Sequence, residues 1–307
     1  MARPVTVSTI GMRSPVIDTR LSNEAAVEAM LRHLKREVEQ VLPDRPDLIV
    51  LPEYCDVPAV YPEQRKLEYY SVRGERARDL LGEIAAEHRC YIAYAAMREA
   101  ADGSRRDSLQ FIGRNGELVG RYDKNHPTIL EMAEYGVKRG EEAPVVELDF
   151  GRVGGVICFD LNFDRLRLHY ARLKPDLLVF SSEYHGGLMQ QYWAYSCRAH
   201  FVGAVVDSPS SIISPVGEIV AGNTNYFNYA TARINLDCAV VHLDYNREKL
   251  KAMKRKYGDK ATFKDPGYLG SVLVASESDE CTVHDLIREF ELETLDDYLA
   301  RSAAYSG

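Results

Sequence analysis

Short apolar runs alternate with amphipathic stretches along the first 245 residues. The runs that predict buried strands are residues 5–10, 47–51, 91–97, 153–157, 176–182, 201–207 and 239–244. The stretches that predict helices are residues 23–42, 75–88, 163–173 and 189–200. Several strands are too apolar to face water on either side. The alternation therefore predicts an α/β layered fold in which the sheets are covered on both faces.

Two hairpins interrupt this alternation. Asn115-Gly116 suits a turn with positive φ, and the second arm of that hairpin runs on to Lys124. A second hairpin is predicted around residues 214–218, where the sequence reads Ser-Pro-Val-Gly-Glu. Both insertions are compatible with a layered α/β domain.

The composition changes after residue 245. Residues 246–265 are basic and polar, which predicts a solvated helix rather than a binding patch. Residues 282–298 predict an acidic amphipathic helix that packs on the body or on a partner subunit. We therefore predict a core domain at residues 1–245 and a C-terminal extension at residues 246–307.

Composition and charge narrow the class of protein. Hydrophobic residues at 46% and charged residues at 27% are ordinary for a soluble globular protein. A net charge of -8 argues against general binding to nucleic acid or to a membrane surface. There is no apolar run long enough to span a bilayer and no signal-peptide pattern. The six cysteines form no CxxC pair and no zinc-type spacing, which predicts reduced thiols in the cytoplasm.

A cysteine follows the apolar run at residues 153–157. Cys158 stands between this predicted strand and a helix, where a thiol is close to backbone N–H groups. Such donors favour the thiolate, which is the reactive form of cysteine. A buried structural cysteine is the alternative interpretation of this stretch taken alone.

Two further chemically active residues follow predicted strands. Glu53 stands in the sequence Leu-Pro-Glu-Tyr, and Lys124 stands in Arg-Tyr-Asp-Lys-Asn-His-Pro. A carboxylate can take the thiol proton and return it to a leaving amine, while a cation stabilises an oxyanion. Each residue alone has a structural alternative, as a surface carboxylate, a solvated cation or a core thiol. Together with Cys158 they predict attack by a thiol on a carboxamide or nitrile.

These motifs resemble the nitrilase (carbon–nitrogen hydrolase) superfamily, which uses a Glu-Lys-Cys triad. The resemblance runs from about residue 5 to residue 244, and it includes the segments Gly-Gly-Val-Ile-Cys-Phe-Asp and Pro-Asp-Leu-Leu-Val-Phe-Ser-Ser-Glu-Tyr. It implies a four-layer α-β-β-α sandwich and pairing into at least a homodimer. It also implies catalysis without a metal or organic cofactor.

The residues after Cys158 place the resemblance in the amidase-like branch. Phe159-Asp160 resembles amidases and carbamoylases, whereas true nitrilases tend to carry Trp-Glu at this point. We expect hydrolysis of a small amide or N-carbamoyl compound, which releases ammonia or an amine. Nitrile hydrolysis, acyl transfer by the same triad and an inactive binding module are the alternatives. Asn162-Phe163-Asp164 lacks an arginine that the family often has there, so carboxylate recognition by an arginine at this point is in doubt.

The resemblance also implies a second glutamate between the lysine and the cysteine. Glu134 is the first choice, because it precedes Tyr135-Gly136, and Glu131 is the alternative. The backbone N–H of Phe159 is expected to assist Lys124 at the oxyanion. The substrate-binding candidates are Tyr54, Phe159, Tyr184 and His185.

A different thiol hydrolase, with histidine as the base, is the rival enzyme. His169, His185 and His200 all follow Cys158, so the residue types are present. None of them lies in a recognisable motif, and this rival leaves Glu53 and Lys124 without a role.

Overall fold

The computed structural model describes residues 1–305, and its main body is a pair of six-stranded β-sheets. The strands are β1 (Pro4–Ile10), β2 (Leu48–Val50), β3 (Tyr91–Glu99), β4 (Arg105–Ile112), β5 (Leu118–Asp123), β6 (Val145–Leu148), β7 (Gly151–Ile157), β8 (Leu177–Ser182), β9 (His200–Val205), β10 (Ser211–Ile213), β11 (Ile219–Gly222), β12 (Tyr229–Asn235), β13 (Cys238–His242), β14 (Ala261–Lys264) and β15 (Ser271–Ser276). The helices are α1 (Asn23–Glu39), α2 (Glu63–Arg73), α3 (Arg76–His88), α4 (Ile129–Ala133), α5 (Asp164–Leu173), α6 (Met189–Cys197), α7 (Arg247–Tyr257), α8 (Val283–Glu289) and α9 (Leu295–Tyr305).

The two large sheets have the same internal plan. The first has the order β12-β1-β2-β3-β4-β5, and the second has the order β11-β10-β9-β8-β7-β6. In each sheet three central strands are parallel and the flanking strands are antiparallel. Parallel neighbours need a crossover connection, and α1, α3, α5 and α6 lie in those crossovers.

The inner faces of the two sheets form the largest core. Val50 and Phe111 from the first sheet and Val156 and Phe180 from the second are fully buried in one cluster. Burying such side chains is the main favourable contribution to folding. The hydroxyl of Ser181 also donates a hydrogen bond of 2.7 Å to the carbonyl of Leu51, which joins the two sheets.

Two consecutive glycines in β7 allow its close packing on both sides. A Cβ atom at Gly155 would lie 2.9 Å from Leu109 and 3.0 Å from Tyr122 on the facing sheet. A Cβ atom at Gly154 would lie 2.7 Å from Tyr170 of α5. Glycine in a strand often marks such a close approach. The strand that leads to Cys158 therefore packs closely against the facing sheet on one side and α5 on the other.

Helices cover the outer faces of both sheets. Leu34 and Val38 of α1 and Leu81 of α3 pack against the first sheet. Leu166 of α5 and Trp193 of α6 pack against the second, and the indole N–H of Trp193 donates to the carbonyl of Leu161 at 2.9 Å. The predicted four-layer α-β-β-α sandwich of the nitrilase type is therefore confirmed.

The C-terminal part differs from the sequence-based prediction. The strand predicted at residues 239–244 is β13, and it belongs to a third sheet of order β13-β15-β14 rather than to the sandwich. Residues 246–265 form α7 and then β14, and the predicted helix at 282–298 is two helices, α8 and α9. The sequence analysis also missed α2, α4, β6, β12 and β15. The domain boundary at residue 245 stays a prediction.

A small separate core explains these differences. Met253, Val274 and Leu286 are buried together, so α7, β15 and α8 cover one another. Glu291 has a φ of 49°, a left-handed conformation that breaks the chain between α8 and α9. Among residues 1–305, none of the helices has the length and apolarity that a membrane crossing requires.

Candidate active site

The three predicted residues of the triad all follow the end of a strand. Glu53 comes three residues after β2, Lys124 comes directly after β5, and Cys158 comes directly after β7. They line one cavity of about 770 Å³. Loops at strand ends commonly carry the functional side chains of α/β proteins, because the sheet holds them rigidly. The structure therefore brings the three residues together.

Lys124 lies at the centre of a buried group of carboxylates. Its Nζ is 2.7 Å from Glu53 Oε1, 2.7 Å from Glu131 Oε1 and 3.2 Å from Asp107 Oδ2. The side chains of Glu53, Lys124 and Asp107 are almost completely buried. Three carboxylates this close are a possible set of metal ligands. Here the ammonium group occupies the position that a cation would take.

The structure places Glu131, rather than the first choice Glu134, beside Lys124. Glu134 is exposed at the C-terminal end of α4, whereas Glu131 is buried and hydrogen-bonded to Lys124. Glu131 Oε2 accepts a hydrogen bond from the backbone N–H of Thr128, and the Thr128 hydroxyl accepts one from the N–H of Glu131. This capping box fixes the glutamate at the start of α4 and turns it toward the lysine.

Exchange of these two glutamates for glutamine gives the first prediction. Glu131→Gln removes a negative charge that touches Lys124, so we expect turnover to fall by about a hundredfold. Glu134→Gln changes an exposed side chain and is expected to leave turnover and thermal stability near those of the wild type. Steady-state kinetics and thermal unfolding of the two variants check this. Equal activity in both variants would contradict the assignment of Glu131.

Hydrogen bonds to Asp160 hold the loop that carries Cys158 in place. Cys158 has a φ of 45°, which is uncommon for a residue other than glycine, and it opens a short 3-10 helix that ends at Asn162. Asp160 is fully buried and accepts hydrogen bonds from the hydroxyl of Tyr122 and from the backbone N–H of His126. The carboxylate thus ties the cysteine loop to the segment that carries Lys124.

The thiol of Cys158 is a neutral group in this site. Burial raises the pKa of Cys158, the negative charge of Glu53 raises it further, and the charge of Lys124 opposes this only in part. Burial first, and the charge of Glu53 second, oppose the thiolate that the strand-end N–H donors are expected to favour. A base must remove the proton as the thiol reacts.

Glu53 has the position and the raised pKa that such a base would need. Burial raises the pKa of Glu53, and the negative charges of Glu183 and Glu131 add to this while Lys124 opposes it. A carboxylate with a raised pKa accepts a proton more readily near neutral pH. The backbone N–H of Glu183 donates to Glu53 Oε2 at 3.0 Å, which fixes the orientation of the carboxylate.

Lys124 and Glu131 are the charged partners in the cluster. Burial alone would lower the pKa of Lys124, but Glu53, Asp107 and Glu131 raise it well above its usual value. Burial opposes the charged form of Glu131 as well, yet the charge and hydrogen bond of Lys124 lower its pKa overall. A permanently charged ammonium group therefore lies beside the cavity.

Two of the four predicted substrate-binding residues line the cavity. Tyr54 and His185 line it, and the hydroxyl of Tyr54 also donates to Glu131 Oε1 at 3.0 Å. Phe159 and Tyr184 are not among the described residues that line it, and the Tyr184 hydroxyl accepts a hydrogen bond from Asn162. The backbone N–H of Phe159 directly follows the nucleophile, which is the position expected for an oxyanion donor.

The three histidines of the rival mechanism form hydrogen bonds with backbone groups. His169 Nε2 lies 2.9 Å from the carbonyl of Ala143, and His200 is buried beside the carbonyl of Asn235. His185 lines the cavity, but its Nδ1 accepts a hydrogen bond from a backbone N–H of its own loop. Among the described residues, none of the three forms a hydrogen bond with Cys158. The structure therefore favours Glu53 over a histidine as the base.

Selective alkylation of the cysteines gives a second prediction. Cys55, Cys90 and Cys197 are buried, whereas Cys158 is only partly buried and lines the cavity together with Glu53. We expect brief treatment with substoichiometric iodoacetamide to label Cys158 first, as measured by peptide mapping. Because the proposed reaction needs ionised Glu53 and the pKa of Glu53 is raised, labelling should fall as the pH drops, and it should do so at a higher pH than the ordinary pKa of a glutamate. Faster labelling of another cysteine would contradict the assignment.

Sequence reasoning missed several residues of the site. Asp107 lies inside β4, and only the pairing of β4 with β5 brings it to Lys124. Arg13, Lys66 and Asp207 line the cavity from distant parts of the chain. No local pattern marks these residues. The capping-box spacing of Thr128 and Glu131, in contrast, was a readable signal for the buried glutamate.

The fold is the nitrilase-type α-β-β-α sandwich. A family model for carbon–nitrogen hydrolases matches residues 6–240. The chain therefore belongs to the carbon–nitrogen hydrolase family, as the sequence predicted, and it is an enzyme of the amidase-like branch.

Particular relatives agree with this assignment. An omega-amidase, chloroplastic, from Arabidopsis thaliana is 23% identical over 290 residues, which cover 84% of this chain and 74% of the relative. A deaminated glutathione amidase from Mus musculus is 23% identical over 222 residues, which cover 62% of this chain and 68% of the relative.

Solved structures show the same fold. The C. elegans NitFhit protein has a TM-score of 0.67 at 15% identity, covering 94% of this chain and 98% of that chain. An amidase from Nesterenkonia sp. has a TM-score of 0.62 at 16% identity, covering 82% of this chain and 96% of that chain. At these identities the likeness concerns the fold alone.

Proposed function

We propose that this enzyme hydrolyses the C–N bond of a small amide or N-carbamoyl compound through an acyl-enzyme on Cys158. The observation that carries the proposal is the position of Lys124 Nζ, 2.7 Å from both Glu53 and Glu131, at the cavity that Cys158 also lines. Base, cation and nucleophile are then available to one substrate carbonyl group.

The first half of the reaction forms a thioester. Glu53 takes the proton of the Cys158 thiol as the sulfur attacks the substrate carbonyl carbon. The negative charge that develops on the carbonyl oxygen is stabilised by Lys124 and by the backbone N–H of Phe159. The C–N bond then breaks, and Glu53 returns its proton to the departing nitrogen, which leaves as ammonia or an amine.

The second half releases the acid. A water molecule attacks the thioester carbonyl while Glu53 takes one of its protons, and the same donors stabilise the second oxyanion. The C–S bond breaks, the thiol is restored with the proton held by Glu53, and the carboxylic or carbamic acid departs. Each residue returns to its starting state.

The cavity and the relatives support a polar amide substrate. Arg13 and Lys66 contribute positive charge to the cavity wall, and Glu183 and Asp207 contribute negative charge. A wall with charges of both signs suits a polar molecule better than an apolar one. Two of the relatives are an omega-amidase and a deaminated glutathione amidase, and both names describe enzymes that act on amides.

A screen for released ammonia tests the substrate class. Purified enzyme is incubated with aliphatic amides, ω-amides, N-carbamoyl amino acids and nitriles, with Cys158→Ala as the matched blank. We expect turnover of amides or N-carbamoyl compounds above that of nitriles. Preference for nitriles would replace the proposed reaction by nitrile hydrolysis, and acyl-group capture by an added amine would indicate acyl transfer. The absence of any covalent acylation of Cys158 would favour an inactive binding module.

We further propose that the enzyme works as at least a homodimer in the cytoplasm. Exposed apolar side chains, among them Leu168 of α5 and Leu188 and Tyr192 near the start of α6, lie on the outer side of the second sheet and supply surface for a second copy. All six cysteines, which lie within the described residues, are free thiols, which suits a reducing compartment.

Sedimentation of the purified protein tests this association. We expect a species of twice the chain mass or larger at micromolar concentration, because burying the exposed apolar side chains favours pairing. Leu188→Glu should shift the distribution toward the monomer. A wild-type protein that sediments only as a monomer would contradict the proposal.

A further inference from the structure

Asp107 lies behind the catalytic group rather than in the cavity. It belongs to β4, and its backbone carbonyl accepts a hydrogen bond of 2.9 Å from the N–H of Lys124 in the neighbouring chain segment. Its side chain is fully buried. Among the described residues that line the cavity, Glu53, Lys124 and Glu131 are present and Asp107 is not. Asp107 therefore touches the catalytic groups without meeting a substrate.

The buried cluster holds more negative than positive charge. Glu53, Asp107 and Glu131 each place an oxygen within 4.8 Å of the others, and Lys124 is the cation between them. With every group ionised, three negative charges would face one positive charge away from water. An uncompensated buried charge is strongly unfavourable, so such groups usually take up a proton instead.

The hydrogen bonds indicate where that proton belongs. Glu53 accepts bonds from Lys124 and from a backbone N–H, and Glu131 accepts bonds from Lys124 and Thr128. Both oxygens of Asp107 are buried, and neither has a hydrogen-bond partner among the described residues. Lys124 Nζ lies 3.2 Å from one of them but donates to the two glutamates. A proton on Asp107 would convert one unpaired oxygen into a donor.

We propose that Asp107 is a positioning residue, a neutral carboxylic acid in the resting enzyme that donates a hydrogen bond to Glu53. The proposal rests on the proposed role of Glu53 as the base. The bond from Asp107 holds the Glu53 carboxylate in place and leaves Lys124 paired with two carboxylates. Burial raises the pKa of Asp107 well above its usual value, and the charges of Glu53 and Glu131 raise it further against the opposing effect of Lys124.

The proton balance of the reaction is unaffected by this proton. The Cys158 proton moves to Glu53 and then to the departing nitrogen, while Asp107 keeps its own proton throughout. The elements around Glu53 each bring a titratable group close to it, and these groups interact with its charge. They are Asp107 of β4, Lys124 after β5, Glu131 of α4, Cys158 after β7 and Glu183 after β8. Only Asp107 among them is proposed to be a permanent neutral donor.

Two substitutions separate this role from a merely structural one. Asp107→Asn keeps the shape and supplies an amide N–H that can donate to Glu53, whereas Asp107→Leu has a similar volume and no donor. The rate at which iodoacetamide alkylates Cys158, followed against pH by peptide mapping, reports how well Glu53 removes the thiol proton. It needs no substrate, so it stays informative if the enzyme hydrolyses none of the amides tested.

We expect the asparagine variant to behave like the wild type. Its alkylation rate should lie within about threefold of the wild-type rate, because one neutral donor replaces another. The pH at which the rate declines on the acidic side of the profile should be the same as in the wild type. Asp107→Leu should react about tenfold more slowly or worse, because the base has lost its hydrogen bond. If Asp107 were ionised, Asp107→Asn would remove a negative charge next to Glu53, lower the pKa of Glu53 and move the acidic decline to lower pH. That shift would overturn the proposal.

Infrared spectroscopy locates the proton directly and remains decisive if the leucine variant does not fold. At neutral pH the wild type and a Glu134→Gln control should show the carbonyl band of a buried protonated carboxylic acid, and Asp107→Asn should lack it. A band that persists in Asp107→Asn would place the proton on another carboxylate and overturn the proposal.

Discussion

Replacement of Cys158 by alanine is expected to abolish turnover, by about 10⁴-fold or more relative to the wild type. In the proposed mechanism the sulfur of Cys158 forms the covalent intermediate, and no other cysteine lines the cavity among the described residues. Cys158→Ser should be nearly as inactive, because a hydroxyl has a much higher pKa than a thiol and Glu53 is too weak a base for it. Steady-state rates of ammonia release measure the effect.

The matched control for this prediction is a second half-buried cysteine. Cys238→Ala lies outside the cavity, and it should retain turnover within about twofold of the wild-type rate. Thermal unfolding of both alanine variants shows whether the fold persists. A folded Cys158→Ala variant with substantial turnover would remove Cys158 from the mechanism.

Replacement of Lys124 by methionine is the second large expected effect. The substitution removes the charge that faces the developing oxyanion, so turnover should fall by on the order of a hundredfold or more. It also leaves Glu53, Asp107 and Glu131 buried without their cation. Loss of one partner of a buried charge group destabilises proteins by about 3–5 kcal/mol.

The pH dependence of stability distinguishes this variant from a simple packing defect. Without Lys124, Glu131 loses the charge that lowers its pKa, and the pKa values of Glu53 and Asp107 rise further, so the folded state binds more protons than the unfolded chain. The stability lost in Lys124→Met should therefore be largest at neutral and alkaline pH and should be recovered as the pH falls. The control Lys138→Met changes an exposed lysine and should show neither effect. A loss of stability that is independent of pH would contradict the charge cluster.

The sandwich and the three central residues could be predicted because each has a local signature. The strands are continuous apolar runs, and Glu53, Lys124 and Cys158 each follow such a run or a hairpin. Strand ends gather at one edge of a sheet, so local patterns were sufficient to bring distant residues together. The resemblance to a known family rested on the same motifs.

The remaining parts of the site depend on contacts that no local pattern encodes. Asp107 reaches Lys124 through the antiparallel register of β4 and β5, and the sign of the Cys158 pKa shift depends on burial beside Glu53. Glu131 and Glu134 are only three positions apart, so the sequence offered both as the second glutamate. A capping box that begins at Thr128 places Glu131 beside Lys124, whereas the sequence-based choice gave more weight to the nearby Gly136.

The C-terminal part was harder to predict for a different reason. Its three short strands and its helices enclose a core of their own, in which Met253, Val274 and Leu286 meet only in the folded chain. The strand at Cys238–His242 is apolar enough to belong to either sheet system, so composition alone could not assign it.

Mass spectrometry of the acid-quenched reaction tests the central claim most directly. Enzyme is mixed with an amide that it turns over, quenched during the steady state and digested for peptide mapping. The account predicts a mass increase equal to the substrate acyl group on the peptide that contains Cys158, and no increase in Cys158→Ala. Turnover that proceeds without an adduct on Cys158, and that persists in a folded Cys158→Ala variant, would contradict it.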